Sequence, residues 1–151
     1  RSYDMKILGI SGSPRKDGTS GVFTLVKTVL ENTGLEYELI SLRGKKIGGC
    51  IACLGCAKDN ICKVKDDMTD LRDKIGSADA YVIGAPNYYS MLNGLTHAFL
   101  ERWFQFVKNF HHGFSDFRIY AIYQALNEQG HSFFCIRHDI KTPAGKGILH
   151  P

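Results

Sequence analysis

Short apolar runs alternate with amphipathic stretches over the first hundred residues. Met5 to Ile10 (M-K-I-L-G-I) is apolar and stops at Ser-Gly-Ser-Pro, which reads as a buried parallel strand feeding a loop. Val22, Leu25, Val26, Val29 and Leu30 then recur at helical spacing until Asn32 and Gly34 close the helix. Tyr37 to Leu42 (Y-E-L-I-S-L) makes a second strand. A second helix is signalled by Asp67 as cap, Asp70 three positions on, and Met68, Leu71 and Ile75 on one face, with Gly76 as its end. Ala80 to Gly84 (A-Y-V-I-G) is a third apolar strand. Leu95, Ala98, Phe99, Arg102, Trp103 and Phe106 recur as a third helix, whose far side carries Leu100, Phe104 and Val107. A helix apolar nearly all round is expected to be covered on two sides, by the sheet and by either the C-terminal tail or a second subunit.

The β-α-β-α-β-α order predicts an α/β fold: a doubly wound parallel sheet with helices on both faces, in three layers. Beyond Asn109 two readings stay open. Ile119 to Tyr123 and Phe133 to Ile136 are candidate fourth and fifth strands, but a parallel crossover with its helix needs at least 10 to 12 residues, and only Gln124 to Ser132 lie between them. Alternatively Ile119 to Gln129 is a helix capped by Gly130. In both cases the fourth strand or its crossover is shortened or missing, and the shortfall falls near Arg118. Lys141 to Pro151, with Pro143, Gly145 and Gly147, reads as the end of an extended arm over 139–151.

At 151 residues and 44% hydrophobic content the chain suits one domain, 1–151. No apolar run approaches the roughly 20 residues that cross a bilayer, so no membrane span is expected. The opening residues Arg1-Ser-Tyr-Asp-Met5-Lys lack the apolar core of a secretion signal, which points to a cytoplasmic protein. The net charge of +4 is scattered apart from Arg43, Lys45 and Lys46, so no nucleic-acid partner is expected. Of five cysteines, four crowd into thirteen positions, which in a reducing compartment favours metal ligation over disulfides.

Three loops carry the chemistry. The first, Ser11-Gly-Ser-Pro-Arg-Lys-Asp-Gly-Thr-Ser20, joins a strand to a helix. Its small and hydroxylated residues let backbone N–H groups approach an anion, and the helix N-terminus adds partial positive charge, so a phosphate fits. The second, within a loop over 44–66, is Cys50-Ile-Ala-Cys53-Leu-Gly-Cys56-Ala-Lys-Asp-Asn-Ile-Cys62. Three thiolates at this spacing can wrap one face of a small inorganic core and the fourth can complete four-iron ligation, with Gly48, Gly49 and Gly55 supplying unusual backbone angles. Structural zinc and plain thiols are the competing readings, although zinc sites more often separate two C-x2-C pairs by a long spacer. Cys135, in Phe133-Phe-Cys-Ile136, reads as core. The third loop is Ala85-Pro-Asn-Tyr-Tyr-Ser-Met-Leu-Asn-Gly94, where Pro86 sets a turn and Tyr88 or Tyr89 can cover a planar heterocycle. All three leave the C-terminal ends of parallel strands, where open α/β sheets bind ligands.

The stretch Lys6-Ile-Leu-Gly-Ile-Ser-Gly-Ser-Pro-Arg-Lys16, the cysteine run followed by Val64-Lys-Asp-Asp-Met68, and Ile83-Gly-Ala-Pro-Asn-Tyr88 with Gly94-Leu and Ala98-Phe-Leu-Glu-Arg102 together resemble the iron-sulfur flavoprotein branch of the NADPH-dependent FMN reductase family, over about residues 5 to 107. The resemblance implies a flavodoxin-like fold. It also implies FMN with its phosphate on Ser11, Ser13, Pro14, Arg15, Lys16, Gly18, Thr19 and Ser20, and its ring near Pro86, Asn87, Tyr88, Tyr89, Ser90 and Met91. A [4Fe-4S] cluster is implied on Cys50, Cys53, Cys56 and Cys62, in a homodimer or homotetramer where flavin and cluster come close across a subunit contact. Two departures stand out: the family's Ser/Gly-rich turn after strand four has no counterpart, and Asn87 stands where Val is usual.

On that resemblance the chain is an electron-transfer flavoprotein, an oxidoreductase working with a ferredoxin-type carrier, NAD(P)H or a small oxidant. No acid-base residue is expected to act in catalysis, and His97, His111 and His112 read as surface or capping residues. The alternatives are an NAD(P)H-dependent FMN or quinone reductase without a cluster, and a zinc-stabilised binding module.

Overall fold

The computed structural model describes residues 5–103 and 105, together with the backbone of 124–126 and 131–137. In chain order the elements are β1 (Lys6–Ser11), α1 (Gly21–Glu31), β2 (Glu36–Ser41), α2 (Met68–Ser77), β3 (Ala80–Tyr88), β4 (Met91–Leu92), α3 (Gly94–Glu101), β5 (Gln124–Leu126) and β6 (His131–Arg137). The sheet runs β2-β1-β3-β6-β5, with β4 paired to β3.

Strand β1 pairs in parallel with both neighbours, Ile10 opposite Ile40 on one side and Ile83 on the other. Side chains alternate across the sheet. Ile7 and Val82 therefore meet Val26 and Leu30 of α1. Leu8, Ile10, Tyr81 and Ile83 turn to the opposite face, onto Met68, Leu71 and Ile75 of α2 and Phe99 of α3. Helices on both faces of a central β2-β1-β3 sheet make the three-layer α/β arrangement that the apolar pattern predicts, in the flavodoxin-like form that the resemblance implies. Helix α1 sits close because Gly84 has no side chain; a Cβ there would run into Val26 and lie 3.0 Å from Val22.

The far edge differs from a fully parallel sheet: β6 lies antiparallel to β3, and β5 antiparallel to β6. The four positions 127–130 between β5 and β6 are enough for a hairpin and far too few for a crossover helix. The helical alternative over Ile119 to Gln129 is thereby corrected, since β5 falls inside it. The candidate strand Ile119–Tyr123, Arg118, the side chain of Cys135, His111, His112 and the arm over 139–151 lie outside the described residues. Among the described residues no helix is long and apolar enough to cross a membrane.

Three local boundaries also differ from expectation. Asp67 precedes α2 but does not cap it; Asp66 accepts from the Met68 N–H at 3.1 Å, while Asp67 accepts from the Lys46 N–H at 2.6 Å. Gly76 lies inside α2, which runs on to Ser77. Strand β3 continues through Pro86 to Tyr88, so the turn is made by Tyr89 and Ser90.

Candidate functional site

Loop one begins where β1 ends. Ser11, Ser13 and Ser20 are buried, while Pro14, Arg15, Lys16, Gly18 and Thr19 are exposed, so the loop combines buried hydroxyl-bearing residues with two exposed cationic ones. The Ser20 Oγ caps α1 by accepting from the Phe23 N–H at 3.2 Å, and Ser13 Oγ accepts from the Arg15 N–H at 3.2 Å. Asp17 Oδ1 accepts from Ser41 Oγ at 2.8 Å, which pins the loop to the end of β2. The buried Ser11 Oγ has no hydrogen-bond partner among the described residues.

Loop three is a tight hairpin between β3 and β4, with Asn87 opposite Leu92 and Tyr88 opposite Met91. Tyr89 and Ser90 both take positive φ, 58° and 63°, as a two-residue hairpin turn of the right hand requires. Tyr88, Tyr89 and Met91 are exposed, and the buried Asn87 Oδ1 lacks a partner among the described residues. Unpaired buried polar atoms are rare and call for an explanation. Ser11 and Asn87 both sit at the C-terminal ends of adjacent strands, where a polar ligand would supply the missing bonds. The residues present thus fit a phosphate-bearing heterocycle.

Loops one and three are joined by a pair of residues that the sequence reading passed over. Asn93 Nδ2 donates to the Gly12 carbonyl at 2.9 Å, and its Oδ1 accepts from Thr96 Oγ1 at 2.6 Å, all three buried. Gly12 is packed so closely on Thr96 that any side chain there would collide with the hydroxyl.

The four cysteines line one open concavity of about 180 Å³, together with Ile51, Ala52, Leu54 and Val64. Cys56 is buried, Cys62 half-buried, Cys50 and Cys53 exposed. Between Cys50 and Cys62 the left-handed residues are Ala52, Leu54 and Asn60, at φ 53° to 55°. The expected source, Gly48, Gly49 and Gly55, is thereby corrected: Gly49 and Gly55 instead make room, for Glu101 and Lys63 respectively. Ala52 and Leu54 flank Cys53, and paying for two left-handed non-glycine residues there turns successive cysteines toward one wall. Among the described residues no three His, Cys, Asp or Glu side chains are gathered to hold a single metal ion. The four cysteines that line this hollow are the residues that would hold a four-iron core, each thiolate on a different iron.

The end of α3 grips this loop. Glu101 Oε2 accepts from the Cys50 N–H and Gln105 Oε1 from the Cys62 N–H, each at 3.1 Å. Arg102, with its side chain 1% exposed, bonds Asp66 through both terminal nitrogens at 2.6 and 3.2 Å, and the carbonyls of Gly48 and Val64 at 3.1 Å each. Burial pushes the Asp66 carboxyl up, but Arg102 and the N–H groups of Gly48 and Met68 outweigh it and hold the pKa below the usual carboxylate range. For Arg102 burial works against the charge, and Asp66 with Cys62 more than offsets it, so the guanidinium pKa is raised.

The expected site residues are therefore grouped by the fold into a hydroxyl-rich loop, a tyrosine hairpin and a cysteine hollow. Of the holding residues, Asn93 and Glu101 fall within a loop and a motif noted in the sequence without a role of their own, and Thr96 and Gln105 were not singled out. Asn93 with Thr96 three positions on resembles an ordinary helix cap, the one local signal available.

The profile of the NADPH-dependent FMN reductase family matches residues 5–130. An iron-sulfur flavoprotein of Methanocaldococcus jannaschii is 34% identical over 101 residues, 65% of this chain and 51% of that protein. One from Archaeoglobus fulgidus is 36% identical over 96 residues, 64% and 49%; one from Methanosarcina thermophila is 33% identical over 85 residues, 56% and 44%. The chain spans about half the length of the curated relatives it matches. The solved structure of a flavone reductase aligns with 66% of this chain and 30% of its own at 29% identity, with a TM-score of 0.46. With the family profile covering most of its length, the chain belongs to the NADPH-dependent FMN reductase family.

Proposed function

We propose that this chain is a flavoprotein oxidoreductase that holds FMN across loops one and three and a [4Fe-4S] cluster on Cys50, Cys53, Cys56 and Cys62. The observation that carries the reading is the single apolar hollow lined by all four cysteines, in a chain of an FMN reductase family whose relatives here are named iron-sulfur flavoproteins. Bound together, such a pair would exchange electrons one at a time with a carrier and in pairs with a two-electron partner.

The residues divide the work. Ser11, Ser13, Gly18, Thr19 and Ser20, backed by the Arg15 and Lys16 charges, hold the phosphate at the start of α1. The strand end at Pro86 and Asn87 offers backbone and amide groups to the ring edge, and Tyr88, Tyr89, Ser90 and Met91 cover its face. Glu101 and Gln105 hold the N–H groups of Cys50 and Cys62 and so fix the backbone of the outermost two thiolates. The electron partner is a ferredoxin-type carrier, with NAD(P)H or a small oxidant at the flavin end.

A second reading, an NAD(P)H-dependent flavin or quinone reductase with bystander cysteines, is favoured by the family's description alone. An anaerobic preparation analysed for iron, zinc and flavin separates the two. Flavin with about four irons per chain supports the proposal; flavin without iron after reconstitution supports the second reading; zinc without flavin overturns both.

A further inference from the structure

The guanidinium of Arg102 is bonded to both flanks of the cysteine run. Its terminal nitrogens take the carbonyl of Gly48, two residues before Cys50, the carbonyl of Val64, two residues after Cys62, and both oxygens of Asp66. A charge this deep persists only when paired and hydrogen-bonded. Four of the five N–H positions are so used. The fifth, Nε, is buried without a hydrogen-bond partner among the described residues. Cys62, whose N–H is held by Gln105 on the next turn, also acts on the guanidinium alongside Asp66.

We propose that Arg102 is a positioning residue for the iron-sulfur site, holding the two ends of the cysteine loop at a fixed separation and presenting its Nε–H to the Cys62 sulfur. The inference rests on the reading that these cysteines bind a cluster. A thiolate ligand accepts hydrogen bonds, and a donor with positive charge beside it favours the more reduced, more negative state of the centre. Arg102 therefore raises the cluster's reduction potential as well as its retention. Lysine cannot replace it: one ammonium keeps the charge but not the planar fork that reaches two carbonyls, a carboxylate and a sulfur together.

The test compares the wild-type chain with Arg102→Lys, both reconstituted anaerobically. Readouts are FMN content, the rate of iron loss to a chelator, and the midpoint potential followed by electron paramagnetic resonance. The expected result is unchanged FMN, iron loss faster by about 10-fold or more, and a more negative midpoint. In wild-type protein carrying isotope-labelled arginine, pulsed resonance should also detect an arginine nitrogen coupled to the reduced cluster; this needs no variant and stands even if Arg102→Lys folds poorly. Unchanged iron retention and potential in Arg102→Lys, or no arginine coupling in the wild type, overturns the role of Arg102 while leaving the cluster in place. A wild-type chain that takes up no iron overturns the cluster reading and this inference together.

Discussion

Asn93 reaches across 81 positions of sequence to bond the Gly12 carbonyl at 2.9 Å, so the start of α3 is fastened to the hydroxyl-rich loop. The other end of the same helix, at Glu101 and Arg102, is fastened to the cysteine loop. Thr96 and Arg102 are separated by about 9 Å along the axis at a rise of 1.5 Å per residue. One short helix therefore acts as a strut between the two candidate cofactor sites within a chain.

Replacing Asn93 by Ala strips the Gly12 carbonyl and the Thr96 hydroxyl of their buried partner. Loss of such a bond with unpaired groups left behind costs about 1–3 kcal/mol. Urea unfolding should register that loss, and flavin titration should show affinity for FMN reduced by about tenfold. Full FMN affinity in Asn93→Ala would mean that the clamp does not shape loop one.

Gly84→Ala places a methyl group between the sheet and Val22 and Val26 of α1. Overpacking of this kind typically costs about 1–3 kcal/mol. Thermal denaturation should show a lowered midpoint, and Val22→Ala or Val26→Ala in the same chain should recover part of it.

Alkaline stability should be governed in part by Tyr81. Burial, and secondarily the charge of Asp79, push its phenol up to about 12, while the O–H donates to the carbonyl of Ile75 at 2.5 Å. A folded pKa above the unfolded value of about 10 means that the neutral phenol's contribution is fully present below pH ~10 and is lost as pH rises through the folded value. Tyr81→Phe should flatten the stability curve between those limits. An equal alkaline decline in both proteins would rule Tyr81 out as its source.

Acid stability should depend on Asp66, whose folded pKa is depressed. Its contribution is present above the ordinary carboxylate pKa of about 4 and is lost as pH falls through the lower folded value. Near neutral pH, Asp66→Asn leaves the buried Arg102 without its counter-charge, and breaking such a pair costs about 3 kcal/mol. The gap between Asp66→Asn and the wild type should therefore narrow below pH ~4. A gap that stays constant down to acid unfolding would show that the carboxylate charge is not what matters.

The central strands and α1 were legible because burial on both faces leaves continuous apolar runs and a helical period, as at Ile7–Ile10 and Val22–Leu30. The grouping of the four cysteines around one hollow was legible because they lie within one short segment, Cys50 to Cys62. Boundaries misled where a residue served a distant partner: Asp67 looked like a cap but holds Lys46, and Pro86 looked like a turn but continues β3 beside β6. Arg102 falls in the periodic pattern of the core helix, and only its bonds to Gly48, Val64 and Asp66 distinguish it from an apolar neighbour. Contacts 36 to 54 positions apart leave no local trace in the sequence.

Low-temperature electron paramagnetic resonance on anaerobically prepared, chemically reduced protein addresses the central claim most directly. Four cysteines holding one cluster predict a fast-relaxing signal that accompanies bound FMN and is lost when Cys56 is replaced by Ser. A reduced protein that shows only a flavin radical, or a cluster signal that persists in Cys56→Ser and in each of the corresponding serine variants of Cys50, Cys53 and Cys62, would contradict it.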